Sequence, residues 1–555
     1  MRSKEKKKSN VLGKMIIIAL FIICVATVIN LAPNYIQDKL KGKTNVIINN
    51  NNVTLSLKSD IIIDENEVIF MSFKDIENFF DGDIYYDKDY NQIITTSETK
   101  VAAIKLDKKE MYVNSSKVTI YATVMEKDET YYIPISEMKD VYNIEINYDE
   151  DSKIVTIDSL NKEQKRGNSS KDVSVKYKPT VFSKTVDKVK KGESVIVIKE
   201  EDGWYKVRTN SGNIGYLKSI ANIYNVRENM EEKKQIEGNI SLVWDNYSEY
   251  ASAPTRTGEI KGVNVVSPAF AILEKLGKGE LNVNVGSAGK AYIDWAHSNQ
   301  YKVWPMVSNN SWKDTTSEIL NDYKLRENLI NNIVDLVTTY DIDGINIDFE
   351  YIKQSDKDMF SRFIIELAPR LKEYGKVLSV DVTAPDGSPD WSMCYDRHKI
   401  SQVADYIIFM AYDQYGISSP KEGTTAGADW VEVNIKKFLG QEDVAAEKLI
   451  LGMPFYTRLW RETGSTPKSD VISMKYINST IPSNVEKVWD EDLKQYYVEY
   501  QKNGVTYKMW IEDERSITEK FKLMKKYNLA GAAYWQKDFE TENIWDVVDE
   551  QINKE

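Results

Sequence analysis

Asp343-Gly344-Ile345-Asn346-Ile347-Asp348-Phe349-Glu350 is the stretch from which the rest of the chain can be read. Ile345, Ile347 and Phe349 fall on one parity, and Asn346, Asp348 and Glu350 on the other. Successive side chains of a strand point to opposite faces, so this alternation reads as a β-strand. Helical periodicity flanks it on both sides, from Glu318 to Tyr340 and from Asp356 to Tyr374. A strand between two helices belongs to a parallel βα unit covered on both faces. Its polar parity then points into a barrel interior, which costs free energy unless those groups are paired or used. Its C-terminal end is where barrel enzymes carry their chemistry. Asp348 and Glu350 share one face with α-carbons about 7 Å apart. Two carboxylates that close raise one pKa, and the raised group can serve as an acid at neutral pH. Glu350, nearest the strand end, is the better proton donor, and Asp348, one step deeper, is placed to orient and stabilise. On these residues alone, an acidic strand end that caps the next helix or binds a cation is the alternative.

Working outward, the strand-like runs are Gly262–Pro268, Leu281–Gly286, Lys302–Ser308, the acidic strand, Val377–Thr383, Tyr406–Asp413, Leu449–Phe455 and Gly531–Trp535. A helix candidate, Gly289–Ser298, precedes the third. Eight such units are what a (β/α)8 TIM barrel requires. The long gap before the last run holds a hairpin candidate at Asn503-Gly504, which reads as a small α+β insertion.

The acidic stretch resembles the Asp-x-x-(Asp/Asn)-x-Asp-x-Glu signature of glycoside hydrolase family 18, the chitinase-like barrels. The resemblance runs from near Ile260 to the C-terminus, with Asn346 in place of the commoner aspartate. It implies that Glu350 protonates the glycosidic oxygen while the sugar's own 2-acetamido oxygen attacks the anomeric carbon. Asp348 and Tyr412 would hold the oxazolinium intermediate, and Glu350 would then act as base for water. Met410-Ala411-Tyr412-Asp413 is similar to the family's Met-x-Tyr-Asp strand, which assigns the acetamido oxygen to Tyr412 and a substrate contact to Asp413. Trp535 matches the tryptophan that floors the sugar subsite. Tyr456 and Arg458 extend the seventh strand where relatives touch sugar, although Thr457 stands where the family has glycine. Without the resemblance, Tyr412 and Trp535 read as packing residues. No metal and no cofactor is implied. The alternative reading is a non-catalytic glycan-binding wall protein.

Composition narrows the classes further. A charge of −12, from 73 basic and 85 acidic residues, excludes nucleic acid as a partner. Cys24 and Cys394 are the only cysteines, too few for a disulfide framework, and His297 and His398 are too few for a histidine-rich metal site. Arg2, Lys4, Lys6, Lys7, Lys8 and Lys14 precede an apolar run from Met15 that extends to Ala32. Residues 1–32 read as an uncleaved signal anchor rather than a cleaved signal. That reading expects attachment to the cell membrane, with the bulk of the chain outside and facing the cell wall.

Residues 44–160 contain a repeat. Phe70-Met71-Ser72-Phe73-Lys74-Asp75-Ile76 recurs as Tyr132-Ile133-Pro134-Ile135-Ser136-Glu137-Met138, each followed by a hairpin. This α+β segment resembles the N-terminal domain of copper amine oxidases; it holds no histidine or cysteine, so no copper is implied. It reads as a wall-contacting module or as a spacer. Asn161–Lys171 reads as a polar linker. Residues 172–226, with Asp202-Gly203-Trp204-Tyr205 and Gly215-Tyr216-Leu217, resemble a bacterial Src-homology-3 domain, a small β-barrel of a type associated with wall peptides. Trp204 is a ligand contact or a core residue. Residues 227–257 read as a linker and 258–555 as the barrel. The family's spore and wall N-acetylglucosaminidases share the Asn346 form, so the resemblance favours peptidoglycan over chitin.

Overall fold

The computed structural model describes residues 42–228, 235–248, 251–462 and 466–553. Their contacts divide into two compact units. One holds the described residues up to Ile84 with Ile104–Met111 and Thr119–Glu232; the other holds Tyr85–Ala103, Tyr112–Val118 and the chain from Lys233 onward.

The second unit is built on β1 (Ile240–Asp245), β2 (Val265–Pro268, resuming as Ala271–Leu273), β3 (Lys302–Val303, resuming as Met306–Ser308), β4 (Gly344–Asp348), β5 (Val377–Val382), β6 (Tyr406–Met410), β7 (Leu449–Pro454) and β8 (Gly531–Trp535). Each pairs in parallel with the next, and β8 pairs with both β7 and β1, so the sheet closes on itself. The result is a TIM-barrel-like α/β domain. β3 is interrupted at Trp304-Pro305, where proline has no N–H to offer the ladder. β8 and β1 approach so closely that a Cβ on Gly531 would lie 1.9 Å from the Ile240 carbonyl oxygen.

Besides the single turn Ile477–Thr480, the helices of this unit are α1 (Gly286–Ser298), α2 (Lys313–Asn321), α3 (Tyr323–Thr339), α4 (Lys357–Lys372), α5 (Arg397–Val403), α6 (Ala428–Gly440), α7 (Glu514–Lys526) and α8 (Ile544–Ile552). Strand parity sorts the apolar side chains into two cores. Ile345, Ile347, Ile407 and Phe409 pack with Leu329, Ile333, Phe363 and Ile435 from the helices. Ile408, Ile450, Leu242, Trp244 and Trp304 form a separate cluster inside the ring. A five-stranded antiparallel insertion follows β7, and its Gln495–Lys502/Val505–Ile511 hairpin turns at Asn503-Gly504 with φ of 52° and 76°. Such left-handed pairs suit a two-residue hairpin turn.

Three expectations about the barrel change. The first barrel strand is Ile240–Asp245, inside the stretch read as linker, and Val265–Pro268 is second. Leu281–Val283 is a short strand antiparallel to Ala271–Leu273, not a barrel stave. The helix expected from Glu318 to Tyr340 is two, because Asp322 adopts an extended conformation and its carboxylate accepts the Leu325 N–H as the cap of α3.

By its contacts the hairpin Tyr85–Asp87/Gln92–Thr96 also belongs to this unit. The Tyr90 hydroxyl donates to Asp322 at 2.9 Å, and Lys100 pairs with Glu373 at 2.9 Å.

In the first unit the repeated segments pair with each other: Met71 stands opposite Ile133 in an antiparallel ladder. A seven-stranded sheet contains the segment resembling a Src-homology-3 domain. The expected polar linker contributes Gln164–Ser169 to it, between Ser194–Glu201 and Ile220–Arg227. Trp204 is buried, with the Lys218 ammonium 4.9 Å above its ring, which fits the core reading.

The expected membrane anchor is corrected. A spanning helix needs about 20 largely apolar residues. Among the described residues no helix is long and apolar enough to cross a membrane; α3, with 17 residues, is amphipathic. The run Met15–Ala32 that prompted the expectation lies outside the described residues. The expected attachment to a cell membrane is left without a spanning helix among the described residues.

Candidate active site

The alternation in β4 does what its chemistry requires. Phe349 turns outward and stacks on Phe363 of α4, with ring centroids 5.6 Å apart, while Asn346 and Asp348 take the opposite parity. Glu350 lies just past the strand end, and its main chain is gripped. Its N–H donates to the Asn309 side-chain oxygen (3.0 Å), and the Asn309 amide donates back to its carbonyl (2.9 Å). The Tyr395 hydroxyl donates to the Phe349 carbonyl at 2.7 Å. The carboxyl is therefore presented from a backbone held by β3 and by the loop after β5.

Asp348, Glu350, Tyr412, Asp413, Tyr456 and Trp535 line one cleft of about 320 Å³ at the C-terminal ends of the strands. The Tyr412 ring lies 6.4 Å from that of Trp535 and 6.2 Å from that of Tyr456. Trp535 in turn meets Trp244 edge-on at 5.7 Å. Asp413 has φ of 55° and accepts from the Tyr456 hydroxyl (2.8 Å) and from Arg458 (3.4 Å). Asn346 and Arg458 stand behind the cleft wall rather than in it; both are buried.

Burial raises the pKa of Asp348, and burial followed by the charges of Asp348 and Asp413 raises that of Glu350. A carboxyl held above its ordinary range keeps a proton to give at neutral pH. Burial likewise pushes the Tyr412 phenol well up, so it stays a hydroxyl and a donor. Among the described residues no cluster of His, Cys, Asp and Glu is arranged to hold a metal ion.

Sequence reasoning missed Asp381 on β5, a buried carboxylate that accepts from the Asn346 amide at 2.7 Å. It also missed Trp244, whose indole N–H donates to Asn346 at 2.8 Å, and the Tyr351–Trp391 ring pair, 4.8 Å apart, at the cleft wall. The signal for Asp381 was available, since Ser379 and Asp381 form a polar parity inside an otherwise apolar strand.

Comparison with known proteins agrees with this geometry. The glycosyl hydrolases family 18 profile matches residues 240–540, the copper amine oxidase N-terminal domain 45–157, and the bacterial SH3 domain 171–219. The chain is 24% identical over 258 residues to a cortical fragment-lytic enzyme of Bacillus subtilis (strain 168), covering 44% of this chain and 58% of that enzyme. It is 26% identical over 278 residues to the uncharacterized glycosylase YvbX of the same organism, covering 48% and 79%. Across such curated relatives the matched segment spans between 52% and 79% of the relative's own length. A chitinase structure from Chromobacterium violaceum superposes with a TM-score of 0.50 at 23% identity, over 57% of this chain and all of that one. The match at 240–540 begins where β1 does and spans more than half of the sequence. A closed parallel barrel with paired carboxylates ending its fourth strand, under a profile of that extent, shows that the chain belongs to glycosyl hydrolase family 18.

Proposed function

We propose that this chain is a glycosidase that hydrolyses β-1,4-linked polymers containing N-acetylglucosamine, peptidoglycan ahead of chitin, with the substrate's acetamido group as internal nucleophile. Glu350 protonates the glycosidic oxygen and then serves as base for water, so configuration is retained. Asp348 orients the acetamido group and stabilises the oxazolinium, while the Tyr412 hydroxyl holds the acetamido oxygen. Asp413, Tyr456 and Arg458 shape the sugar site with Asn346 behind it, and Trp535 offers its ring to the apolar sugar face. The observation that carries the reading is Glu350 beside Asp348 in one cleft with Tyr412 and Trp535, where burial raises its pKa. Asp348 sits on the acid's own strand, one step deeper, which favours substrate assistance over a carboxylate nucleophile facing the acid across the bond. Peptidoglycan is favoured by the cortical fragment-lytic relative and by the bacterial SH3 domain, through which the chain would also meet wall peptides.

The test is to incubate the full chain with purified peptidoglycan, with N-acetylated chitin oligomers and with their de-acetylated counterparts, identifying new reducing ends by mass spectrometry. Peptidoglycan fragments and cleaved N-acetylated oligomers are expected, with the de-acetylated set intact. Equal rates on both oligomer sets contradict substrate assistance, and release from chitin alone overturns the choice of polymer.

A further inference from the structure

We propose that Asp381 on β5 shares one proton and one negative charge with Asp348, and thereby sets when Asp348 is ionised. This rests on the roles given above to Glu350 and Asp348. The family pattern commonly carries a carboxylate where this chain has Asn346. Every hydrogen-bonding position of that amide is taken. Its oxygen accepts from Trp244 Nε1 (2.8 Å) and Ser267 Oγ (3.4 Å), and its nitrogen donates to Ser379 Oγ (3.1 Å) and Asp381 Oδ1 (2.7 Å). The orientation follows from chemistry, because an indole N–H can only donate and so must face the amide oxygen. The carboxylate absent from β4 therefore stands one strand over, on β5.

Register brings it beside Asp348. β4 and β5 pair Asn346 with Ser379 and Ile347 with Val380, so Asp348 and Asp381 follow as parallel neighbours of one parity. Adjacent strands lie about 4.8 Å apart. Asp381 is 2% exposed. The groups that face it are Asp348 and Glu350 on β4, the Asn346 amide, the Trp244 indole and Tyr412 past the end of β6. Two adjacent buried carboxylates in such company titrate as a pair and resist a second charge. Burial raises the pKa of both carboxyls, and the charge of Asp348 raises Asp381 further. Among the described residues, however, only Asp381 has hydrogen-bond donors, the Asn346 amide and the Trp244 indole, so the first charge rests there in the free enzyme and the proton on Asp348. As the oxazolinium cation forms, that proton passes from an Asp348 oxygen to an Asp381 oxygen, and the negative charge arrives beside the cation. Asp381 is thus a positioning residue that keeps the charge away from Glu350 until it is needed.

The experiment measures kcat and KM against pH on N-acetylated chitin oligomers, in the full chain, for the parent, Asp381→Asn, the swap Asn346→Asp/Asp381→Asn, and Glu350→Gln. Asp381→Asn fixes the charge on Asp348 next to Glu350 and makes Glu350 a weaker acid. Its kcat is expected to fall about tenfold and its alkaline limb to rise by about one pH unit, with KM within about twofold. The swap returns a carboxylate to β4 and is expected to restore both. An alkaline limb left in place by Asp381→Asn overturns the proposal, as does a swap that regains no activity or does not fold. Glu350→Gln separates the two levels. Activity retained there removes the catalytic reading itself, whereas an inactive Glu350→Gln beside a parent-like Asp381→Asn profile removes only the inference about Asp381.

Discussion

Two regions of the second unit bury carboxylates in opposite ways. Between α3 and α4, Arg326 and Glu366 are 1% and 2% exposed, and the guanidinium forks the carboxylate at 2.8 and 3.1 Å. At α7, Lys520 meets Glu512 at 2.9 and 3.0 Å, and Ser516 donates to the same carboxylate at 2.7 Å. Inside the barrel, Asp348, Glu350 and Asp381 face one another, an amide, an indole and a phenol. A buried charge with a bonded counter-charge is part of the fold, and removing one member strands the other. Like charges gathered without a counter-ion strain the fold and hold protons, which is how a site obtains an acid at neutral pH. The first arrangement should fail in stability when altered, the second in activity.

The largest effect expected is at Glu350. Glu350→Gln keeps the shape and removes the proton donor, so turnover should fall by about 10²–10⁴-fold. Thermal stability should hold or rise, because the amide has no charged form whose ionisation burial opposes. Turnover on N-acetylated oligomers and a melting curve from one preparation check both halves, and a variant that loses stability along with activity breaks the contrast.

Glu366→Gln is the mirror experiment. It leaves the Arg326 guanidinium buried without its counter-charge, a change that costs about 3–5 kcal/mol. Denaturant titration should show that loss, while kcat per folded molecule stays near the parent value. A large drop in kcat with an unchanged unfolding midpoint would reverse the roles of the two regions.

Stability against pH sharpens the comparison further. Asp348 and Glu350 hold their protons more tightly in the folded barrel than in the unfolded chain, because burial opposes their ionisation. Their contribution is therefore complete below the ordinary carboxylate range and is lost as pH rises through the raised values. Each unit of raised pKa amounts to about 1.4 kcal/mol by the time ionisation is complete. Melting temperatures from pH 4 to 9 should fall less steeply in Asp348→Asn and Glu350→Gln than in the parent, with the curves meeting at the acid end. Parallel curves would mean that these carboxylates ionise in the fold as they do in water.

Of this contrast only the carboxylates of β4 were legible in the sequence, and what stayed hidden has physical causes. The β4 alternation and the apolar stripes of α3 and α4 are periodic signals, and the structure follows them. β1 was hidden because Ile-Ser-Leu-Val-Trp-Asp is a short run, and only its pairing with β2 and β8 makes it a stave. Gln164–Ser169 has the composition of a linker and is a strand through its partners; a Cβ on Gly167 would meet Ile220 at 2.4 Å. Asp381 sat in plain view, but that a carboxylate on β5 touches an amide on β4 is a fact of register, which no single strand reveals.

The break between α2 and α3 supplies the smallest prediction and a third kind of carboxylate. Asp322 interrupts a continuous apolar stripe, and its side chain caps α3 by accepting the Leu325 N–H at 3.0 Å while the Tyr90 hydroxyl donates to it. Here a helix N-terminus and a phenol stand in for a cation. An asparagine retains a cap oxygen and gives up only the charge, whose interaction with the helix dipole is worth about 0.3–1 kcal/mol. An alanine loses the cap as well, for about 1 kcal/mol in typical helices. Asp322→Asn should therefore lie between the parent and Asp322→Ala in unfolding free energy, with all three alike in turnover on N-acetylated oligomers. If Asp322→Asn is as damaging as Glu366→Gln, the negative charge itself holds this junction. The helix end would then belong with the Arg326–Glu366 pair, and neutral donors would no longer suffice to distinguish a capping carboxylate from a paired one.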